Sequence, residues 1–257
     1  MQWPWRRPPL LNVVEDVGDG PTVVLIHGIA SSSVTFQNVL PLLRDSHRCI
    51  TIDLLGFGTS PMPEDCDYTL ADHANAIRRT IRSLRLGHPF TLVGHSMGAL
   101  IAARYGARWP RSVNKLVLVS PPIYLAPGEL SDDLERGRMD FYLKAYRFFR
   151  ENKDFTLQNA AIVERFLAIP KAMDINARTW TPFVKSLENS IESQTTVSDL
   201  AAVQAPVEVV YGSFDQFASE GSMRIVARMR GVEVHRVAAS DHLIGKRLAR
   251  VVAQAVG

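Results

Sequence analysis

Short β-branched runs alternate with helical patterns along the first half of this chain, and that alternation leaves few architectures open. The runs are Thr22 to Ile26, Cys49 to Leu54, Phe90 to Val93 and Leu116 to Val119. Each is close to continuously apolar, as a strand covered on both faces must be. Helical patterns lie between them: Val34 to Leu43, then Tyr68 to Leu86, capped by Thr69 or Asp72 and ended by Gly87. A third starts just after Ser96 and runs to about Trp109, where Pro110 stops it. Strand–helix–strand alternation predicts an α/β fold: a mostly parallel sheet with helices on both faces.

The alternation breaks after Val119. From residue 123 to residue 198 no run reads as a strand, and helical segments carry many aromatics, among them Tyr124, Phe141, Tyr142, Tyr146, Phe149, Phe166 and Trp180. Strand and helix then alternate again through Val207–Tyr211, Glu220–Met229, Val232–Val237 and a last helix from about Leu243. A patterned stretch of about 75 residues is too long for a loop. It reads as a helical cap, 123–198, set into a core made of 1–122 and 199–257.

Composition excludes several classes. Lysine and arginine total 29 against 26 aspartates and glutamates, a formal charge of +3 spread along 257 residues. The densest basic stretch, Arg78, Arg79, Arg82 and Arg85, reads as the solvated face of a helix, with no nucleic-acid motif beside it. No run approaches the ~20 apolar residues of a membrane span, and the N-terminal residues lack a signal-peptide apolar core. Trp3 and Trp5, beside Arg6 and Arg7, read as an arm packed on the first strands. The two cysteines, Cys49 and Cys66, resemble a cytosolic inventory, although sequence leaves their pairing open. The expected location is therefore cytoplasmic.

The chemistry concentrates at Gly94-His95-Ser96-Met97-Gly98, a G-x-S-x-G pattern between an apolar run and a helix. That is the context of a nucleophile elbow, where a tight turn lifts a serine hydroxyl clear of the sheet. A serine needs a base to remove its proton. Of the seven histidines, His242 follows a strand and precedes the last helix, so it shares the rim with Ser96. An acid must hold that imidazole's tautomer. Asp215 follows the strand ending at Tyr211; Asp241, adjacent to His242, would point away. His95 is expected to face away from the reacting centre. The oxyanion requires two amides, expected from Met97 and from Ile29 in the His27-Gly28-Ile29 loop.

With these residues in view, the chain resembles the α/β-hydrolase fold family. The carrying motifs are His27-Gly28-Ile29, Asp53-Leu54-Leu55-Gly56-Phe57-Gly58-Thr59-Ser60, Gly94-His95-Ser96-Met97-Gly98, Tyr211-Gly212-Ser213-Phe214-Asp215 and Asp241-His242. The resemblance implies an eight-stranded, mostly parallel sheet with the helical lid inserted after the sixth strand. It implies an architectural role for the Asp53–Ser60 loop. Relatives that dehalogenate or open epoxides carry aspartate at the position of Ser96. Carbon–carbon bond hydrolases of ring-fission products often have asparagine before the serine and tryptophan after the histidine, where this chain has His95 and Leu243.

The expected activity is thus serine hydrolysis of a carboxylic ester, lactone or thioester through an acyl-enzyme. Tyr142, Tyr146 and Leu243 are the candidate substrate-binding side chains, on or near an apolar lid face with Met139, Leu143 and Phe149. The partner is a small, largely apolar ester-like molecule; no metal, organic cofactor, nucleic acid or integral membrane segment is implied, and the oligomeric state stays open. Two other functions remain at this level: carbon–carbon bond hydrolysis, and a ligand receptor that keeps the fold without useful turnover.

Overall fold

The computed structural model describes residues 8–124, 133–159, 161–163 and 175–257. The tryptophan arm at Trp3 and Trp5, Phe166 and the side chain of Met139 lie outside the described residues. In chain order the elements are β1 (Val13–Val17), β2 (Thr22–Ile26), α1 (Leu40–Leu43), β3 (Arg48–Ile52), α2 (Leu70–Ser83), β4 (Phe90–His95), α3 (Met97–Arg108) and β5 (Val113–Val119). Then come α4 (Asp133–Glu151), α5 (Lys153–Gln158), α6 (Trp180–Ser186), α7 (Thr196–Ala202), β6 (Val207–Gly212), α8 (Glu220–Val226), β7 (Val232–Val237) and α9 (Lys246–Val256).

Among the described residues one sheet of seven strands runs β1-β3-β2-β4-β5-β6-β7. Only β1 is antiparallel, pairing with β3; the other neighbours are parallel. The strand count corrects the expectation of eight. A single antiparallel strand leads into the parallel series among the described residues, so the helical stretch follows the fifth strand and not the sixth. β1 gives no signal in the sequence because it is an edge strand with four of its five residues exposed, and so carries no apolar run.

Two apolar layers cover the sheet. Val24, Ile26, Leu92, Leu116 and Leu118 point to one side, with α2, α3 and aromatics of α4 and α6; Val23, Leu25, Val93, Val117 and Val210 point to the other, with α9. The alternation of facing along each strand is the period of two that a pleated backbone imposes. Helix α2 starts where Thr69 Oγ1 accepts from the Asp72 amide while the Asp72 carboxylate accepts from the Thr69 amide, a reciprocal capping box. The single helix expected over 34–43 is divided. A 3-10 turn, Ser33–Phe36, precedes α1, because Pro41 has no amide hydrogen and is tolerated only in a first helical turn.

The Asp53 carboxylate is buried and accepts from the backbone amides of Ser33 at 3.1 Å and Thr59 at 2.9 Å. It ties the loop after β2 to the loop after β3. Cys49 and Cys66 are both buried and free, and burial pushes their thiols up to about 11 and about 12. Among the described residues no helix is long and apolar enough to cross a membrane.

Candidate active site

Parallel strands deliver their C-terminal ends to one rim, and the expected residues arrive there in register. Ile26 pairs with Gly94 across β2 and β4, and His95 with Val119 across β4 and β5. Beyond these strand ends lie Gly28, Ser96, Ser120, Asp215 after β6 and His242 after β7. Open α/β sheets place their sites at this end.

Ser96 sits between β4 and α3 with φ 53° and ψ −124°, a conformation that costs a residue with a side chain ~1–3 kcal/mol. The turn persists because its flanks cannot relax. A Cβ at position 94 would lie 2.3 Å from the Gly98 carbonyl oxygen, and one at 98 would lie 2.3 Å from the His27 carbonyl oxygen. The two glycines are there because strand, helix and neighbouring strand touch backbone to backbone.

Ser96 Oγ lies 3.0 Å from His242 Nε2, and His242 Nδ1 donates to Asp215, with Oδ1 at 3.0 Å and Oδ2 at 3.1 Å. All three residues are buried, though 146 positions separate Ser96 from His242. Burial by itself would raise the Asp215 carboxyl. The His242 ring beside it and the Phe217 amide that donates at 3.0 Å outweigh burial and hold it below its ordinary value. Asp215 therefore stays ionised, and its position fixes the proton of His242 on Nδ1, leaving Nε2 free to accept from Ser96.

The loop after β2 is set by His27. Leu54 N donates to His27 Nε2 at 2.9 Å, so the ring proton is on Nδ1, which donates to the Gly28 carbonyl at 2.8 Å. A trans peptide points its N–H opposite to its C=O. The Ile29 amide is thereby directed away from the His27 ring, while Gly28 Cα packs on Ser96: a Cβ there would be 2.9 Å from Ser96 Cβ. Met97 opens α3, so its amide has no partner four residues back in the helix.

Of the expected substrate-contacting residues, two are linked to the site through Phe217 and the third directly follows His242. The Tyr142 ring lies 5.1 Å and the Tyr146 ring 6.5 Å from the ring of Phe217, which meets His242 edge-on at 4.8 Å. Tyr146 is buried and its hydroxyl is 3.0 Å from the Tyr124 hydroxyl; burial pushes both phenols up, so the pair stays protonated. Leu243 follows His242 but packs in neither apolar layer, and its amide donates to Asp241 Oδ1.

Two residues packed against His242 carry little signal in the sequence. Phe217 is one; an aromatic two residues past the acid was the only signal. His95 is the other, expected to face away from the reacting centre. Its Nε2 instead donates to the His242 carbonyl at 2.9 Å, and its ring is 5.0 Å from that of His242. The residue preceding an elbow serine points across the rim because the turn projects it toward the next loop. Among the described residues one trio, Glu208, Glu233 and His235, brings metal-ligating atoms within 4.8 Å of one another, on the β6–β7 ladder and not beside Ser96.

Comparison with known proteins fits this geometry. Residues 21–245 match the family model described as the alpha/beta hydrolase fold. A cis-3-alkyl-4-alkyloxetan-2-one decarboxylase of Shewanella oneidensis is 35% identical over 112 residues, which is 43% of this chain and 35% of that protein. A probable lysophospholipase of Arabidopsis thaliana, BODYGUARD 1, is 37% identical over 110 residues, covering 41% of this chain and 24% of its own. The matches thus span about a third and a quarter of these relatives. A loop variant of a haloalkane dehalogenase from Bradyrhizobium elkanii superposes with a TM-score of 0.75 at 22% identity, covering 96% of this chain and 95% of that one, which speaks to the fold alone. With the family model spanning most of its length, the chain belongs to the alpha/beta hydrolase fold family.

Proposed function

We propose that this protein is a serine hydrolase that cleaves a carboxylic ester, or the related lactone or thioester, of a small and largely apolar substrate. The single observation that carries this reading is the hydrogen-bonded series Ser96–His242–Asp215 at 3.0 Å spacing. Ser96 Oγ attacks the carbonyl carbon as its proton passes to His242 Nε2. The amides of Ile29 and Met97 receive the developing oxyanion. His242 then gives its proton to the departing alkoxide, leaving an acyl-serine. Water, deprotonated by the same imidazole, releases the acid and restores Ser96.

Ser96 stands where an aspartate would be needed for dehalogenation, so the fold shared with a dehalogenase does not bring that chemistry here. The Shewanella oneidensis relative is named for an oxetan-2-one, a four-membered cyclic ester, which favours including strained lactones among the candidates. Residues 123–198 act as the lid: α4 carries Tyr142 and Tyr146 to Phe217 above His242. Rings clustered there beside the imidazole favour uncharged acyl or alcohol groups.

The test joins covalent labelling to turnover. A fluorophosphonate should label the protein, and Ser96→Ala should abolish the label. Nitrophenyl butyrate and hexanoate should turn over many times per enzyme, faster than esters with a charged acyl group. Labelling without turnover would convert the protein into a ligand receptor. Turnover confined to a vinylogous diketone would make it a carbon–carbon bond hydrolase.

A further inference from the structure

A second cavity opens at the other end of the sheet. The C-terminus of α2, the turn that leads into β4 and the 3-10 turn Pro110–Ser112 before β5 enclose about 390 Å³. Its polar lining residues are Arg78, Arg82, Arg85, His88, Arg111 and Ser112, with no acidic residue among them. Strand β4 runs from this cavity at Phe90 to the residue before Ser96, a separation of about 20 Å at 3.3 Å per residue.

The charge is not balanced locally. Arg48, Arg104, Arg150 and Arg236 each form an ion pair with a carboxylate, whereas among the described residues none of the four cavity arginines does. A helix C-terminus attracts cations, which explains a basic residue in the last turn of α2. It does not explain Arg111, which reaches the same cavity from a separate turn. Of the basic residues the sequence placed on a solvated face, Arg82 and Arg85 are exposed and Arg78 and Arg79 are half-buried. Arg79 donates to the Pro8 carbonyl, while Arg78 and Arg82 line the cavity.

One of the four is held ready. Arg78 Nη1 donates to the Tyr105 and Ser112 hydroxyls, and its guanidinium lies 5.5 Å from the centre of the Trp109 ring. A planar fork fixed in advance loses little rotamer freedom when it meets an oxyanion, and such forks match the oxygens of a phosphate bidentately. A basic cluster gathered around one open depression suits a compact anion better than a polymer backbone, which calls for a basic stripe.

We propose that this cavity binds a phosphate-bearing anion, at a site separate from Ser96. The phosphate of a soluble metabolite and that of a lipid headgroup share this chemistry, and the experiment distinguishes them. Inorganic pyrophosphate is titrated calorimetrically into the full chain at about 0.15 M salt, where exposed charges are screened beyond about 8 Å. The same protein is sedimented with phosphatidylcholine vesicles, with and without phosphatidylglycerol.

The expected result is saturable pyrophosphate binding that weakens by about tenfold or more in the Arg82→Gln/Arg111→Gln variant, since charge-assisted hydrogen bonds are lost. Both side chains are exposed and far from Ser96, so the variant should keep its melting temperature and its ester turnover. Pyrophosphate binding without vesicle binding identifies a soluble ligand. Binding to phosphatidylglycerol vesicles that pyrophosphate displaces identifies a headgroup. Absence of saturable pyrophosphate binding, equal binding by the variant, or vesicle binding that pyrophosphate leaves untouched would each overturn the proposal.

Discussion

Acid should unfold this protein well before its carboxylates titrate, because three neutral histidines are locked in its interior. Burial is the main cause in each case. It pushes His27 down to about 4 against the partial support of Asp53, and His73 and His95 down to about 3, with His27 and His242 respectively adding to the effect. The structure gives the reason. The His27 Nε2 lone pair already accepts from Leu54, while Nδ1 of His73 and Nδ1 of His95 are buried without a partner, so an added proton would have no acceptor. The unfolded chain binds these protons near pH 6.5, and the folded chain does not. Stability is therefore full above that value and falls as pH drops toward the folded values.

Each such histidine removes about 1.4 kcal/mol per pH unit, so by about pH 5 one group has removed about 2 kcal/mol and three about 6. That compares with a total of about 5–15 kcal/mol for a typical domain. The slope requires only that the folded values lie below the pH of measurement. Asp72, Glu192 and Asp199, held above their ordinary values mainly by burial, are relieved by acid and offset part of the loss at the low end. Urea unfolding at steps between about pH 7.5 and pH 5 reads the slope directly. His73→Gln should lower it by about one proton's worth, whatever that change does to absolute stability. A flat profile, or an unchanged slope in the variant, would refute the reasoning.

Further outcomes concern the rim. Asp215→Asn should preserve the fold and cut kcat by about 10⁴, since the amide no longer dictates the His242 tautomer; steady-state ester hydrolysis measures it. Gly28→Ala places a methyl group 2.9 Å from Ser96 Cβ and should lower kcat by about 10² with little change in melting temperature, as sub-ångström misplacement does. Ser96→Gly should be more stable than Ser96→Ala by about 1 kcal/mol in urea, because both lack the hydroxyl and only glycine tolerates φ 53°. His95→Leu leaves the His242 carbonyl without its donor and should cost about 1–3 kcal/mol in urea unfolding, whereas His95→Gln should recover much of that stability.

Much of the scaffold was readable from neighbouring residues. Runs such as Thr22–Ile26 are strands because a two-sided sheet admits only apolar side chains, and Thr69 with Asp72 marks the start of α2 because a reciprocal cap needs that spacing. The errors arose where the local signal is thin. β1 lies at an edge and needs no apolar run, and Pro41 divides a stretch whose spacing alone looked helical. The candidate site was legible in its three principal residues because each sits just past a strand end. Its surroundings were not: Phe217 and His95 matter through what they face, and facing depends on loops whose course no periodicity encodes.

Patterns between residues close in the chain were enough to mark the elbow at Ser96, the helix that follows it and the alternation of strands and helices, since local spacing and turn chemistry act whatever the rest of the molecule does. Proximity across the chain is different. That His242 meets a serine 146 positions away, that two tyrosines share a hydrogen bond above Phe217, and that Arg111 joins Arg82 around one cavity are outcomes of packing the whole core at once. No window of sequence contains the partners whose combined burial holds those groups together.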